Sequence, residues 1–82
     1  MWTAVITEQV AQEPQDQISI VARYYDEADP SSTVAWYMRA WPTTASAADI
    51  EADIVAYGQA QRAVRERIAA LPDYVGTTIV VP

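Results

Sequence analysis

One long amphipathic segment constrains this chain more than any other feature. Residues 46–71 carry large apolar side chains at intervals of three and four, which aligns them on one side of an α-helix. Ser46 with Asp49 three residues later is typical of a helix start, and Pro72 lacks the N–H needed to continue a helix. The sequence therefore predicts a helix over residues 46–71, whose stripe consists of Ile50, Ile54, Tyr57, Gln61, Val64, Ile68 and Leu71.

Three segments before this helix alternate in the manner of β-strands. Residues 2–10, 18–25 and 33–41 are rich in β-branched and aromatic side chains, which suit a pleated surface. Polar connections at residues 12–17 and 26–32 separate them, and each contains a proline. After the helix, the β-branched run TTIVV at residues 77–81 predicts a fourth strand. The predicted order is β-β-β-α-β.

The short connections favour an antiparallel meander, and the helix must cover one sheet face to bury its stripe. A helix of this length spans nearly 40 Å, whereas a nine-residue strand spans ~30 Å, so the helix is expected to overhang the sheet. We therefore predict one α+β domain over residues 1–82, with a three-stranded antiparallel meander, one long helix on one face and a short C-terminal fourth strand. Residues 77–81 are expected to pair with the chain's own first strand, parallel to it, through the crossover that the helix provides. The alternative is addition to a neighbouring subunit's sheet.

Composition excludes several classes of function. The 82 residues include no Cys, no His and no Lys, and the net charge is −6. Nucleic-acid binding and binding to an anionic membrane both need a basic surface, so neither is expected. Without disulfides or metal ligands, a domain of this size commonly gains stability by forming oligomers.

The sequence predicts neither a membrane span nor a signal peptide. No stretch approaches the ~20 apolar residues of a membrane span. The first ten residues lack the positive flank and long apolar block of a signal peptide. We expect a soluble protein made in a cytoplasm.

No catalytic, cofactor or metal site is predicted. Asp49 and Asp53 lie four residues apart on the helix, but their place in its first turns explains them through the helix dipole. The acidic residues of the connection 26–32 lack the spaced ligands and glycine of a calcium-binding loop. Gly58 costs ~1 kcal/mol inside a helix and is interpreted as a point of close backbone approach. We expect no enzymatic activity and no small-molecule substrate.

Two surfaces are candidates for contact with a partner. A patch of small residues beside the helix stripe would let another backbone approach, unless it simply packs on the chain's own sheet. If one sheet face is covered by the helix through Ile20, Trp36 and Met38, aromatic side chains remain on the other, and an interface core has this composition. Gln61 within the stripe either fixes the register of an oligomer or reaches water. The candidate interface residues are Tyr25, Tyr37, Trp41, Ala52, Ala56, Ala63 and Gln61.

Several segments together resemble small structural proteins of tailed bacteriophages. The matching residues are Trp2-Thr3-Ala4, Ile6-Thr7-Glu8, residues 21–25, the Ala- and Arg-rich residues 56–70, and Gly76-Thr77-Thr78-Ile79. The resemblance implies a head- or tail-associated component of the virion, made in the host cytoplasm, present in many copies and without enzymatic activity.

The sequence thus favours a structural assembly protein that forms a homo-oligomer, a trimer or a dimer, and contacts other virion proteins. The alternative is a small acidic adaptor or inhibitor that binds a host protein as a monomer, with its acidic loops facing a basic surface.

Overall fold

Three strands followed by one helix make up the protein. The computed structural model describes all 82 residues, Met1–Pro82. The strands are β1 (Trp2–Gln12), β2 (Gln17–Asp26) and β3 (Asp29–Pro42), and the helix is α1 (Ala47–Ala69). The sheet order is β1-β2-β3 with both pairs antiparallel. The predicted α+β fold with a three-stranded antiparallel meander and one helix is confirmed.

The β2–β3 connection is shorter than predicted. β3 begins at Asp29 and not at residue 33, because Glu27 and Ala28 alone form the turn. The Asp26 side chain accepts the N–H of Ala28 at 3.0 Å, which stabilises this turn. Pro30 lies within β3, where its missing N–H is tolerated because β3 is an edge strand.

The β1–β2 connection is tied to the start of the helix. It contains a 3₁₀ turn at Glu13–Gln15, and Asp16 follows in the left-handed region with φ of 52°. The N–H of Thr43 donates to the carbonyl of Asp16 at 3.1 Å. This bond joins the first hairpin to the link between β3 and α1.

α1 begins and ends within two residues of the predicted bounds. The side chain of Ser46 caps the helix by accepting the N–H of Asp49 at 3.1 Å, as the sequence pattern indicated. Ala70 caps the other end, before Pro72.

The core lies between the sheet and the first half of α1, and it is small. Its buried side chains come from the middle of β2, from β3 and from the helix, with Gly58 as the one further buried residue. Only 6 of 82 residues are buried, so most of the chain's apolar side chains reach the surface. The core side chains are Ile20, Ala22, Tyr24, Tyr37 and Ile54.

Gly58 is the point at which the helix backbone approaches the sheet, as the sequence suggested. A β-carbon built on it would lie 2.7 Å from Cε1 of Tyr24. The hydroxyl of Tyr24 donates to the carbonyl of Ile54, one turn earlier in the helix. The absence of a side chain at residue 58 therefore lets this tyrosine ring lie against the helix.

The predicted fourth strand is absent from the fold. Residues 77–81 are exposed and pair with no strand of the sheet. They follow a turn in which the N–H of Thr77 donates to the carbonyl of Tyr74 at 3.0 Å. β-Branched residues favour extended backbone, but a strand also needs a neighbouring edge. The prediction that residues 77–81 pair with the chain's own first strand is also wrong, because β1 pairs only with β2.

Candidate assembly surfaces

The helix covers a network of aromatic and charged groups on the sheet. The hydroxyl of Tyr37 donates to Oδ2 of Asp53 at 2.6 Å and accepts the indole N–H of Trp41 at 3.1 Å. Arg39 forms an ion pair with the same Asp53 oxygen at 3.0 Å. Its guanidinium also lies 4.1 Å from the centre of the Trp41 ring. Every buried side-chain polar atom has a hydrogen-bond partner. Because Asp53 lies on α1 whereas Tyr37 and Arg39 lie on β3, the network joins the helix to that strand.

Burial shifts the pKa values of the tyrosines in this network, and hydrogen bonding shifts that of Asp53. Burial raises the pKa of Tyr24 to about 12, and the neighbouring phenols of Tyr37 and Tyr57 act in the same direction. Burial, followed by the hydrogen bond to Asp53, raises the pKa of Tyr37 as well. The Tyr37 hydroxyl and then Arg39 hold the pKa of the Asp53 carboxyl below its ordinary value. The folded state therefore favours neutral phenols and an ionised carboxylate.

The fold is expected to lose stability at both ends of the pH range. An unfolded tyrosine ionises near pH ~10, so the contribution of Tyr24 is complete below that pH and is lost as pH rises to about 12. The contribution of Asp53 is present above pH ~4 and is lost as pH falls through its lowered folded pKa. Urea unfolding followed by circular dichroism at a series of pH values measures both losses of stability. Tyr24→Phe should reduce the fall in the free energy of unfolding at alkaline pH, whereas Tyr74→Phe at an exposed site should leave that fall unchanged. Equal effects of the two substitutions would contradict the assignment to Tyr24.

Two of the predicted interface residues lie on the helix-covered face. Tyr37 is only 3 % exposed and Trp41 is half-buried beside it, so both contact the chain's own helix. The prediction that they lie on the uncovered face with Tyr25 is wrong. The β2–β3 register decides this, because Tyr37 pairs with Ala22 and so shares its face. Trp36 and Met38 take the opposite, open face.

The remaining predicted interface residues are dispersed. Tyr25 is half-buried on the open face, where the guanidinium of Arg23 lies 5.1 Å from its ring centre. Ala52 and Ala56 are exposed on α1, while Gln61 and Ala63 are half-buried. The small-residue patch is thus only partly covered by the chain itself.

Sequence reasoning missed an apolar surface along β3. We use the name β3 flank for six exposed apolar side chains on the open face of this edge strand and on the helix stripe that packs against it through Tyr57. Two belong to its open face. The other four belong to the apolar stripe of the helix, three on α1 and Leu71 just beyond its end, and the first of them, Tyr57, packs edge-to-face on Tyr37 of β3. The residues of the β3 flank are Trp36, Met38, Tyr57, Val64, Ile68 and Leu71.

The helix half of the β3 flank continues the stripe that contributes to the core. Ile54 of α1 is buried against the sheet, but Ile68 lies fourteen residues further along the same stripe and is 62 % exposed. Residues near the helix end, such as Arg65 and Ala69, already lie at the end of the sheet beside Met1 and Asp26. The stripe therefore extends past the surface that its own sheet provides. The sequence did predict the apolar stripe. It could not predict that the sheet would be too short to cover the whole stripe.

No cluster of three metal-ligating side chains is present in the structure. The single helix is neither long nor apolar enough to cross a membrane. No protein-family model, no curated protein and no solved structure matches this chain.

Proposed function

We propose that this protein is a non-enzymatic structural subunit that functions as a homo-oligomer. The observation that carries the proposal is the mismatch between composition and burial: hydrophobic residues make up 51 % of the chain, yet only 6 of 82 residues are buried. Large apolar patches on a monomer are characteristic of surfaces that bind another protein. The β3 flank is such a surface, and it occurs in a chain with no disulfide to supplement its core.

The size of the exposed surface supports association between subunits. The accessible surface is 6208 Å², whereas a compact monomer of this mass exposes about 4,900 Å². The excess is greater than the ~800 Å² that one partner contributes to an interface of standard size. The radius of gyration of 17.8 Å also exceeds the ~12 Å of a compact domain of this length. An elongated subunit with uncovered apolar surface is what an oligomer with a shared core requires.

The assembly that we propose is a component of a bacteriophage particle, at its head or tail, made in the host cytoplasm. This part of the proposal rests on the resemblance of the Trp2-Thr3-Ala4 start, the Ala- and Arg-rich helix and the Gly76-Thr77-Thr78-Ile79 segment to phage structural proteins. The net charge of −6 favours protein partners over nucleic acid or an anionic membrane. The partners are further copies of this chain, as a dimer or trimer, and other virion proteins.

Light scattering on the purified full chain at tens of micromolar tests the proposal. The expected mass is two or three times 9.1 kDa. Ile68→Asp should reduce the mass, because it places a charge in the exposed part of the stripe. Gln59→Asp, at an exposed helix position outside the stripe, is the matched control and should leave the mass unchanged. A monomeric mass for the unsubstituted chain would overturn the proposal and favour an acidic adaptor that binds a basic partner through turns such as Asp26–Asp29.

A further inference from the structure

The segment after the helix is an apolar arm with no partner in its own chain. We use the name arm for residues 72–82. Asp73 is its only charged side chain, and its strand-forming part, residues 77–81, has none. Val80 is 84 % exposed, and the other large apolar residues of the arm are exposed as well. A β-branched segment of this kind in water has unpaired backbone groups and uncovered side chains, so it is suited to adding to a sheet edge.

The arm is apolar on both of its faces. In an extended strand, Ile79 and Val81 point to one side and Val80 to the other. A strand with this pattern gains most where apolar side chains lie on both faces of the sheet that it joins. A site with one apolar face and one polar face would leave either Val80 or the other pair in water.

The edge of β3 has the matching character. Its open face carries Trp36 and Met38, which are 53 % and 79 % exposed. On its other face the ring of Tyr57 packs edge-to-face against Tyr37 and is 39 % exposed. An added strand would therefore contact apolar side chains on both sides, including aromatic and β-branched cross-strand pairs.

The β3 edge has the longer uninterrupted run of the two free edges. Bulges bend an edge away from further pairing, and β1 has one between Ile6 and Glu8, near its middle, whereas the register shifts of β3 lie before Ala35, towards its start. β3 pairs with β2 without interruption from Ala35 to Pro42, eight residues against the five of the arm's β-branched run. β3 therefore offers the longer regular template.

We infer that residues 77–81 of one copy add as a fourth strand to the β3 edge of a second copy. This inference rests on the proposed homo-oligomer and names the contact that builds it. Backbone hydrogen bonds to β3 would hold the arm, and the β3 flank would cover its side chains. α1 ends at the margin of its own sheet, and residues 77–81 pair with no strand of that sheet. The exchange gives each subunit the fourth strand that its own chain leaves unpaired.

Cross-linking between two differently labelled copies tests this contact directly. The chain has no cysteine, so introduced cysteines report without interference. Met38→Cys protein is mixed with Ile79→Cys or Val80→Cys protein and treated with a short bis-maleimide, because only one of the two arm positions faces the side of Met38. The expected product is a heterodimer of Met38→Cys with one arm variant. Val5→Cys, which is also exposed on the open face but in β1, is the matched control and should link poorly.

Two results would overturn the inference. One is linkage of both arm variants to Val5→Cys in preference to Met38→Cys. The other is linkage confined to single chains in a double variant that combines Met38→Cys with whichever arm cysteine links to it, which would mean that the arm pairs with its own sheet.

A charged substitution in the arm tests the arm contact separately from the proposed homo-oligomer. Val80→Asp in the full chain should lower the mass measured by light scattering, while circular dichroism retains the helix signal because residue 80 is exposed in the monomer. Val75→Asp is the matched control, with the same substitution in the same arm but outside the β-branched run, and should leave the mass unchanged. An oligomer of unchanged mass in Val80→Asp would overturn the arm contact and leave the homo-oligomer standing. A monomeric unsubstituted chain would overturn both.

Discussion

Replacing Ile54 with alanine is expected to lower the free energy of unfolding by about 2–5 kcal/mol, the usual range for truncating a buried aliphatic side chain. Ile54 is the only large side chain of α1 that is buried, and the core has four other members. Domains of this size have about 5–15 kcal/mol of stability in total, so the substitution removes a large share of it. Urea unfolding followed by circular dichroism measures the change.

The neighbouring residue supplies the control for Ile54. Val55 is exposed on the same helix, and Val55→Ala should change the stability by less than about 0.5 kcal/mol. Both variants are compared at one protein concentration, because association with other subunits adds to the measured stability. A loss under about 1 kcal/mol in Ile54→Ala would place this side chain outside the core and contradict the packing described above.

The substitution Gly58→Ala is expected to destabilise the fold by about 1–3 kcal/mol, although alanine is the better helix former. Its β-carbon would lie 2.7 Å from a ring atom of Tyr24. That ring cannot move freely, since its hydroxyl donates to a helix carbonyl and the ring centres of Trp2 and Tyr57 lie 6.5 and 6.0 Å from its own. The helix would have to move away from the sheet or the ring would have to leave its place.

A glycine placed elsewhere on the helix separates the steric effect from helix propensity. Gln59→Gly at the next, exposed position should cost about 1 kcal/mol, the ordinary difference for a helix interior. Gly58→Ala therefore has the opposite sign from the one that propensity alone predicts. Thermal unfolding of the two variants beside the unsubstituted chain measures both effects, and a more stable Gly58→Ala protein would refute the close contact with Tyr24.

Local signals were sufficient to predict most of the secondary structure. The Ser46 cap, the three-and-four spacing and Pro72 placed the helix within two residues of its observed bounds. Alternation and short connections predicted the three-stranded meander, and Gly58 indicated the close approach to the sheet. These features depend on interactions between residues near in sequence, or on a backbone need that only one residue type meets. The sequence could determine them for that reason.

The tertiary structure alone decided which face of the sheet the helix covers and what remains exposed. β3 is apolar on both sides, so alternation did not distinguish Tyr37 and Trp41 from Trp36 and Met38. On the face that the helix covers, Asp53 of α1 contacts the hydroxyl of Tyr37 and the guanidinium of Arg39. Residues 77–81 have the composition of a strand, but pairing needs an edge in the right place, which a local pattern does not encode. The β3 flank is exposed for a related reason: the apolar stripe of α1 is longer than the sheet beneath it, and only the packed structure sets the point at which that sheet ends.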